Sequence, residues 1–417
     1  HGADWHLVCT LDDIAWITNL RGADVPYNPV FVAHLLVGMQ SATLFVAPGK
    51  VNEAVAQALA ADGITLAPYD EIAVTLARLP IAATVLIDPR RVTYALRQAL
   101  PATVHVVEAT NPSTLAKSRK TDAEIAHVRA VMEQDGAALA EFFVWLESAL
   151  GHERITELTI DEKITAARAR RPGFVSPSFA TIAAFNANGA LPHYHATPDA
   201  HAVIAEPGRI DDGLLLIDSG GQYLGGTTDI TRVIAIGTPS AAQQRDFTLV
   251  LKGMIALSRA RFPRGTRAPL LDTLARAPIW AAGIDYGHGT GHGVGYFLNV
   301  HEGPHGITPH LAPEPQTAME PGMITSNEPG IYRPGNWGVR IENLVLNVTD
   351  GDSGFGEFLR FETLTLCPID ARCIARELLS ADEIAWLDAY HATVQARLRP
   401  HVDGAALAWL ERNTLPL

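Results

Sequence analysis

The chain has 417 residues, 47% of them hydrophobic, enough apolar material for large cores and an expected two domains. A formal net charge of −13 disfavours a general nucleic-acid binder, and no apolar run approaches the roughly 20 residues of a membrane span. Three cysteines (Cys9, Cys367, Cys373) argue against a disulfide framework, and with no visible signal peptide they point to a reducing, cytoplasmic compartment.

Residues 1 to about 113 read as a small α/β unit. Trp5 to Cys9 is a short strand, and Asp12 to Leu20 a helix opening at an acidic cap. Phe31 to Val37 and Ala42 to Val46 read as paired strands, Glu53 to Ala61 as an alanine-rich helix, and Thr84 to Asp88 as a buried strand. Asn111-Pro112-Ser113 is a linker into a second domain, 114–417.

That domain opens with a capping box, Thr121-Asp122-Ala123-Glu124, and apolar residues at helical spacing through Leu150. Ile160 to Arg171 is a second helix, whose Arg168, Arg170 and Arg171 read as a solvated basic end. Phe179 to Phe185 is strand-like and leads into a loop bearing His193 and His195.

The stretch Gly213 to Arg232 organises the rest. Leu214 to Ile217 is the kind of run that a strand buried on both faces produces, and Asp218 ends it. After a Gly-rich turn, Thr227 to Ile234 is rich in β-branched residues, so Asp218 and Asp229 fall on neighbouring antiparallel strands at one end of a buried sheet. Two carboxylates in an apolar interior are costly unless something positive lies between them. No Lys or Arg separates them in sequence, so a metal ion is the economical counter-charge.

Further ligands follow. Gln243 to Arg261 and Leu270 to Ala281 are helices; then Gly289 to Gly295 is a glycine-crowded loop presenting His292. Ser326 to Tyr332 and Val339 to Leu344 carry Glu328 and Glu342, and the Pro/Gly/Asn turn between them makes the two stretches strands of one hairpin. Beyond Glu362, Ala381 to Leu398 and Gly404 to Glu411 are helical, and their Trp386 and Trp409 either pack on the core or form a dimer contact. Any one of these acidic residues alone is most simply a turn former or cap. Together, Asp218, Asp229, His292, Glu328 and Glu342 carry more negative charge than one divalent ion needs and suit two hard ions bridged by carboxylates.

In these local contexts the five resemble the metal ligands of the pita-bread metallopeptidases of peptidase family M24, which include methionine aminopeptidase, aminopeptidase P, prolidase and creatinase. Asn188 to Tyr194, the aspartate hairpin, Gly287 to Pro304 and Glu328 to Asn343 are most similar to the cytosolic type of aminopeptidase P, as is the opening Leu11 to Trp16 with Asn19 to Asp24. The resemblance implies an α+β protein: a pita-bread catalytic domain over 114–417 with a C-terminal helical tail, preceded over 1–113 by a creatinase N-terminal-like α/β domain. Members of this subgroup carry a further N-terminal domain and the leading part of this one, so the resemblance also implies that both are absent here.

It further implies removal of the N-terminal residue from peptides with proline in second position, by attack of a metal-bridging hydroxide. Asp229 and Glu342 would bridge two ions, Mn²⁺ by family habit with Zn²⁺ or Co²⁺ fitting the same ligands, while Asp218 completes one site and His292 with Glu328 the other. Glu328 would also accept the proton of the nucleophilic water. His193 and His301 would contact substrate and the tetrahedral intermediate. His288 would line the same cavity, His292 would face substrate as well as metal, and Arg340 would orient a ligand carboxylate. His195 and His305 read as solvent-exposed loop residues, and a homodimer is expected. Prolidase, which splits Xaa-Pro dipeptides, is the serious alternative; the text Gly295 to Pro304 around the metal histidine differs from that enzyme's and favours the aminopeptidase. A binding-only or creatinase-like reading is opposed by the intact ligand set.

Overall fold

The computed structural model describes residues 1–310 and 315–417. Contacts divide the chain into two units, His1–Lys117 and Ser118–Leu417.

The first unit is built on one six-stranded sheet. Its strands are β1 (Trp5–Val8), β2 (Ala33–Gly38), β3 (Ala42–Val46), β4 (Ile64–Pro68), β5 (Thr84–Ile87) and β6 (His105–Glu108), in the order β4-β3-β2-β1-β5-β6. The pairs β1–β2 and β2–β3 are antiparallel and the others parallel. Helices α1 (Leu11–Thr18), α2 (Glu53–Ala61), α3 (Ile72–Ala77) and α4 (Tyr94–Ala99) connect the strands, and Leu7, Phe45, Leu76, Val85 and Ile87 share its core. Helix α1 stops two residues before the expected Leu20 because Asn19 turns left-handed (φ 51°), a conformation that asparagine tolerates. The expected linker at Asn111–Ser113 is instead the start of a short helix, α5 (Pro112–Ser118), with proline at a first-turn position that has no N–H to satisfy.

The second unit opens with α6 (Asp122–Ala149), 28 residues held at its start by the capping box: Thr121 Oγ1 accepts from Glu124 N–H and Glu124 Oε2 from Thr121 N–H. Helix α7 (Glu157–Ala169) begins three residues earlier than the apolar spacing indicates, because Thr156 caps it. Its basic end is not uniformly solvated. Arg168 is buried and donates through Nε to Asp135 Oδ1 at 2.8 Å, while Arg170 and Arg171 pair with Glu141. The reason is helical geometry: Arg168 falls one turn after Ile164 and two after Ile160, on the buried face, which a run of arginines in sequence conceals.

Three strands, Ile182–Phe185, Gly213–Ser219 and Ile230–Ile236, form an antiparallel sheet with Gly213–Ser219 in the middle, buried along its whole length. A second sheet contains Ile324–Asn327, Asn343–Asp352 and Glu357–Thr363, edged by Arg261–Pro263. Helices α8 (Ala241–Ser258) and α9 (Asp272–Trp280) and the C-terminal α10 (Ala381–Leu398) and α11 (Gly404–Asn413) complete the unit. Phe142, Leu215, Phe247, Val250, Leu344 and Leu387 belong to one core that both sheets and the helices line, and a smaller cluster with Leu257, Phe262, Val345 and Phe361 fills the other side of the second sheet. Trp409 is buried and stacks on Phe143 with ring centres 5.2 Å apart, and Trp386 stacks on Tyr390 at 5.4 Å. Among the described residues no helix is long and apolar enough to cross a membrane.

Candidate metal centre

Strand register sets the carboxylates. Asp218 pairs with Thr231 across the first sheet, and Asp229 immediately precedes that partner strand. In the second sheet Asn327 pairs with Asn343, and in the adjoining hairpin Gly330 pairs with Arg340. Glu328 and Glu342 are therefore opposite one another at the junction of the two ladders. His292 lies on a two-residue strand paired to Gly306, and its neighbouring glycines are there for close backbone approach. A Cβ on Gly291 would sit 1.8 Å from the Ser326 carbonyl oxygen, and one on Gly293 2.0 Å from that of Glu302.

These elements converge. One ligand atom each from Asp229, His292 and Glu342 lies within 4.8 Å of the others. His292 Nε2 is 3.5 Å from Asp229 Oδ2 and 3.4 Å from Glu328 Oε1. Its Nδ1 lies 3.0 Å from the Gly293 carbonyl, which can only accept, so Nδ1 carries a proton and Nε2 is the atom turned toward the carboxylates. Thr231 Oγ1 donates to Glu342 Oε2 (2.8 Å), Ser326 Oγ to Glu328 Oε1 (2.9 Å), and Arg340 Nη2 to Asp218 Oδ2 (2.5 Å). The other oxygens, Asp218 Oδ1 and Glu342 Oε1, are buried without a hydrogen-bond partner.

The electrostatics point the same way. Burial, reinforced by the neighbouring carboxylates, pushes Asp218 up to about 6 and Glu328 up to about 7, although Arg340 opposes the shift in both and the His292 charge opposes it in Glu328. Glu342 is driven well above the usual carboxylate range by burial and by Asp229, Glu328 and Asp218. Burial alone would lower His292, but its contact with Asp229 and the charge of Glu328 raise it to about 9. The four carboxylates cannot all ionise here at ordinary cost without added positive charge. Orphaned buried oxygens, a hard oxygen-rich donor set and an imidazole nitrogen turned toward it fit divalent cations.

The remaining predicted residues surround a cavity of about 670 Å³ lined by the five ligand candidates, His193, His195, His288, His301, Arg340, and the apolar Phe179, Ile182 and Val300. His193 and His195 are exposed at the cavity wall. His301 packs edge-on against His292, ring centres 4.1 Å apart, and the His292 charge together with burial lowers it to about 4. His288 is engaged on both ring nitrogens, Nδ1 with the Gly289 carbonyl and Nε2 with Tyr332 Oη, both at 2.8 Å, and burial lowers it to about 4. His305 is not the exposed loop residue that its glycine-rich surroundings indicate. It is buried, with Nε2 2.9 Å from the Ile324 carbonyl, because the segment folds back as a strand beside Gly291–His292.

Four further residues support the centre and carry no motif of their own. Thr231 and Ser326 each hold a carboxylate, Tyr332 Oη links His288 to Arg340 Nη1 (2.9 Å), and buried Arg232 clamps the Glu342 carbonyl through Nη1 (2.6 Å).

A sequence profile of metallopeptidase family M24 matches residues 126–349, more than half of the chain. The chain belongs to metallopeptidase family M24. The M24 match is flanked by a creatinase/prolidase N-terminal domain over 1–124 and the C-terminal region of peptidase M24 over 357–417. This M24 chain is 40% identical over 427 aligned positions to a Fusarium vanettenii protein named "Probable Xaa-Pro aminopeptidase P", an alignment covering 98% of the chain and 68% of that protein. It is 38% identical to aminopeptidase P2 of Arabidopsis thaliana, covering 99% of the chain and 62% of the relative. A solved X-prolyl aminopeptidase of Caenorhabditis elegans, described as a cytosolic enzyme with a di-nuclear active site, superposes over 100% of the M24 chain and 68% of its own with TM-score 0.92 and 34% identity. An Xaa-Pro dipeptidase of Bacillus anthracis shares the fold at TM-score 0.69 and 24% identity, over 88% of the chain and 94% of its own. The fold is thus a creatinase N-terminal domain followed by an M24 pita-bread domain.

Proposed function

We propose that this chain is a two-metal aminopeptidase that removes the first residue from peptides with proline in second position. The observation that carries the reading is the convergence of Asp229, His292 and Glu342, flanked by Asp218 and Glu328, on the wall of the 670 Å³ cavity. End-to-end similarity to X-prolyl aminopeptidases supports the substrate class. In this reading residues 114–417 are the catalytic domain, and 1–113 the creatinase N-terminal-like domain.

Asp229, Glu342, Asp218, His292 and Glu328 would hold the two ions, with Asp229 and Glu342 serving both, Asp218 one of them, and His292 with Glu328 the other. Mn²⁺ is the proposed metal. When bound, two divalent ions offset the four carboxylates and acidify a shared water. Glu328 takes the proton of the attacking water and returns it to the prolyl nitrogen as the bond ahead of proline breaks. His193 and His301 face the cavity where the scissile carbonyl must lie, positioned to hold the oxygen as its negative charge develops. His288, fixed by Tyr332, lines the substrate side. Phe179, Ile182 and Val300 offer an apolar wall for the pyrrolidine ring, and the acidic cluster attracts the free N-terminal amine. Arg340 holds Asp218 from behind rather than touching substrate. A homodimer in the cytoplasm completes the reading.

The test is a hydrolysis panel with Mn²⁺ supplied: Xaa-Pro dipeptides, Xaa-Pro-Yaa peptides, and matched peptides with alanine for proline. The expected result is release of the first residue from Xaa-Pro-Yaa and little cleavage of the alanine peptides. Cleavage confined to dipeptides would move the assignment to prolidase, and inertness toward all three would leave a binding protein.

A further inference from the structure

The loop that carries His193 is tethered by a single buried carboxylate. Glu157, the first residue of α7, is fully buried (0% exposed) and has no place among the metal or substrate residues. Its Oε1 accepts from the Phe185 N–H (2.7 Å) and from Asn188 Nδ2 (2.9 Å). Its Oε2 accepts from the Ala202 N–H (2.7 Å), Tyr194 Oη (2.8 Å) and Asn188 Nδ2 (3.1 Å). These donors mark the start of the His193 loop at Phe185 and Asn188, its catalytic segment at Tyr194, and its return at Ala202. Tyr194 is the immediate neighbour of His193. A second, weaker tether runs from Arg340 Nη1 to the Pro192 carbonyl at 3.4 Å.

Burying a carboxylate is costly unless its lone pairs are filled, and here five donor contacts fill them at the positive end of a helix. The arrangement specifies one loop geometry. We propose that Glu157 is the positioning residue for His193, fixing through Tyr194 and Asn188 where that imidazole meets the scissile carbonyl. The proposal rests on the role given to His193 above.

Glu157→Gln is the informative variant because neither orientation of the amide satisfies the site. If the NH₂ replaces Oε1 it confronts the Phe185 N–H, and if it replaces Oε2 it confronts the Ala202 N–H. Tyr194→Phe is the milder companion, removing one donor from the edge of the network. Both variants, together with His193→Ala and the Glu157→Gln/His193→Ala double variant, would be assayed as the full chain on an Xaa-Pro-Yaa peptide, with metal content measured beside kcat and KM.

Glu157→Gln should keep its metals and lose about 10²-fold in kcat with little change in KM, as for a small displacement of a transition-state donor. Tyr194→Phe should lose kcat in the same direction but less. In the His193→Ala background Glu157→Gln should add nothing, since both changes act through one imidazole. A further full loss in the double variant, or normal kcat in Glu157→Gln, would overturn the proposal and leave the His193 assignment standing. If Glu157→Gln fails to fold, normal kcat in Tyr194→Phe overturns it instead. Normal kcat in His193→Ala removes the role of His193 itself, and the proposal with it.

Discussion

Glu328 and Glu342 stand opposite one another where two ladders meet, between the register pairs Asn327 with Asn343 and Gly330 with Arg340. Like-charged residues directly opposite on neighbouring strands repel. This pair is kept in a buried centre with Asp218 and Asp229 nearby, and burial and mutual repulsion drive Glu342 well above the normal carboxylate range. Without cations among the carboxylates, bound protons must relieve that repulsion near neutral pH.

Metal content is the first expectation. The purified protein should bind about two divalent ions per chain, and Glu342→Gln or Asp229→Asn should reduce occupancy and nearly abolish turnover. Elemental analysis beside kcat checks this, and full activity after verified metal removal would contradict it.

The histidines should separate metal binding from substrate chemistry. His193→Ala and His301→Ala should retain both metals and a normal Tm while losing about 10²–10³-fold in kcat. His292→Ala, whose Nε2 faces Asp229 and Glu328, should lose metal and activity together. Loss of metal from the first two variants would show that their roles were misassigned.

Arg340 is buried, and its guanidinium fork serves Asp218, Thr231 and Tyr332 at once. Arg340→Ala leaves the Asp218 carboxylate buried without its partner and should cost on the order of 3–5 kcal/mol of stability. Arg340→Lys keeps the charge but not the fork, so it should be intermediate rather than neutral. Urea unfolding of the three proteins gives the order, and an Arg340→Ala protein as stable as its parent would refute the argument.

Metal-free protein should lose stability as pH rises from about 6.5 to 9. Folded His292 titrates at about 9 against 6.5 for the free side chain, so its contribution is full below 6.5 and lost as pH rises through 9. Glu328 at about 7 and Asp218 at about 6 hold protons that the unfolded chain has released, which also lowers stability as pH climbs toward 7. His288 and His301, lowered to about 4, act oppositely, but only below about 6.5. Cations compete with those protons, so the Tm increment from added Mn²⁺ should grow across the same window. Thermal melts with chelator and with Mn²⁺ test this, and a metal-free Tm that rises from pH 6.5 to 9 would count against it.

The sequence by itself determined the ligand candidates and the local elements that carry them. A leucine-rich strand ending in Asp218, a β-branched return after Asp229, and glycines around His292 are signals read within about ten residues, and each survives as an element of the fold. Only the tertiary structure decided what holds the candidates in place. Thr231 meets Glu342 across 111 positions, Arg340 meets Asp218 across 122, and Glu157 meets Tyr194 across 37, distances over which spacing carries no information. The same limit explains Arg168 and His305, which read as exposed from their polar neighbours and are buried. A side chain's burial depends on which remote element packs over it, and that element lies elsewhere in the chain: Asp135 for Arg168, the strand at Ile324 for His305. The charge balance shows it most directly. No cation lies between Asp218 and Asp229 in sequence, yet the fold brings Arg340 onto Asp218 while leaving Asp218 Oδ1 and Glu342 Oε1 without a hydrogen-bond partner.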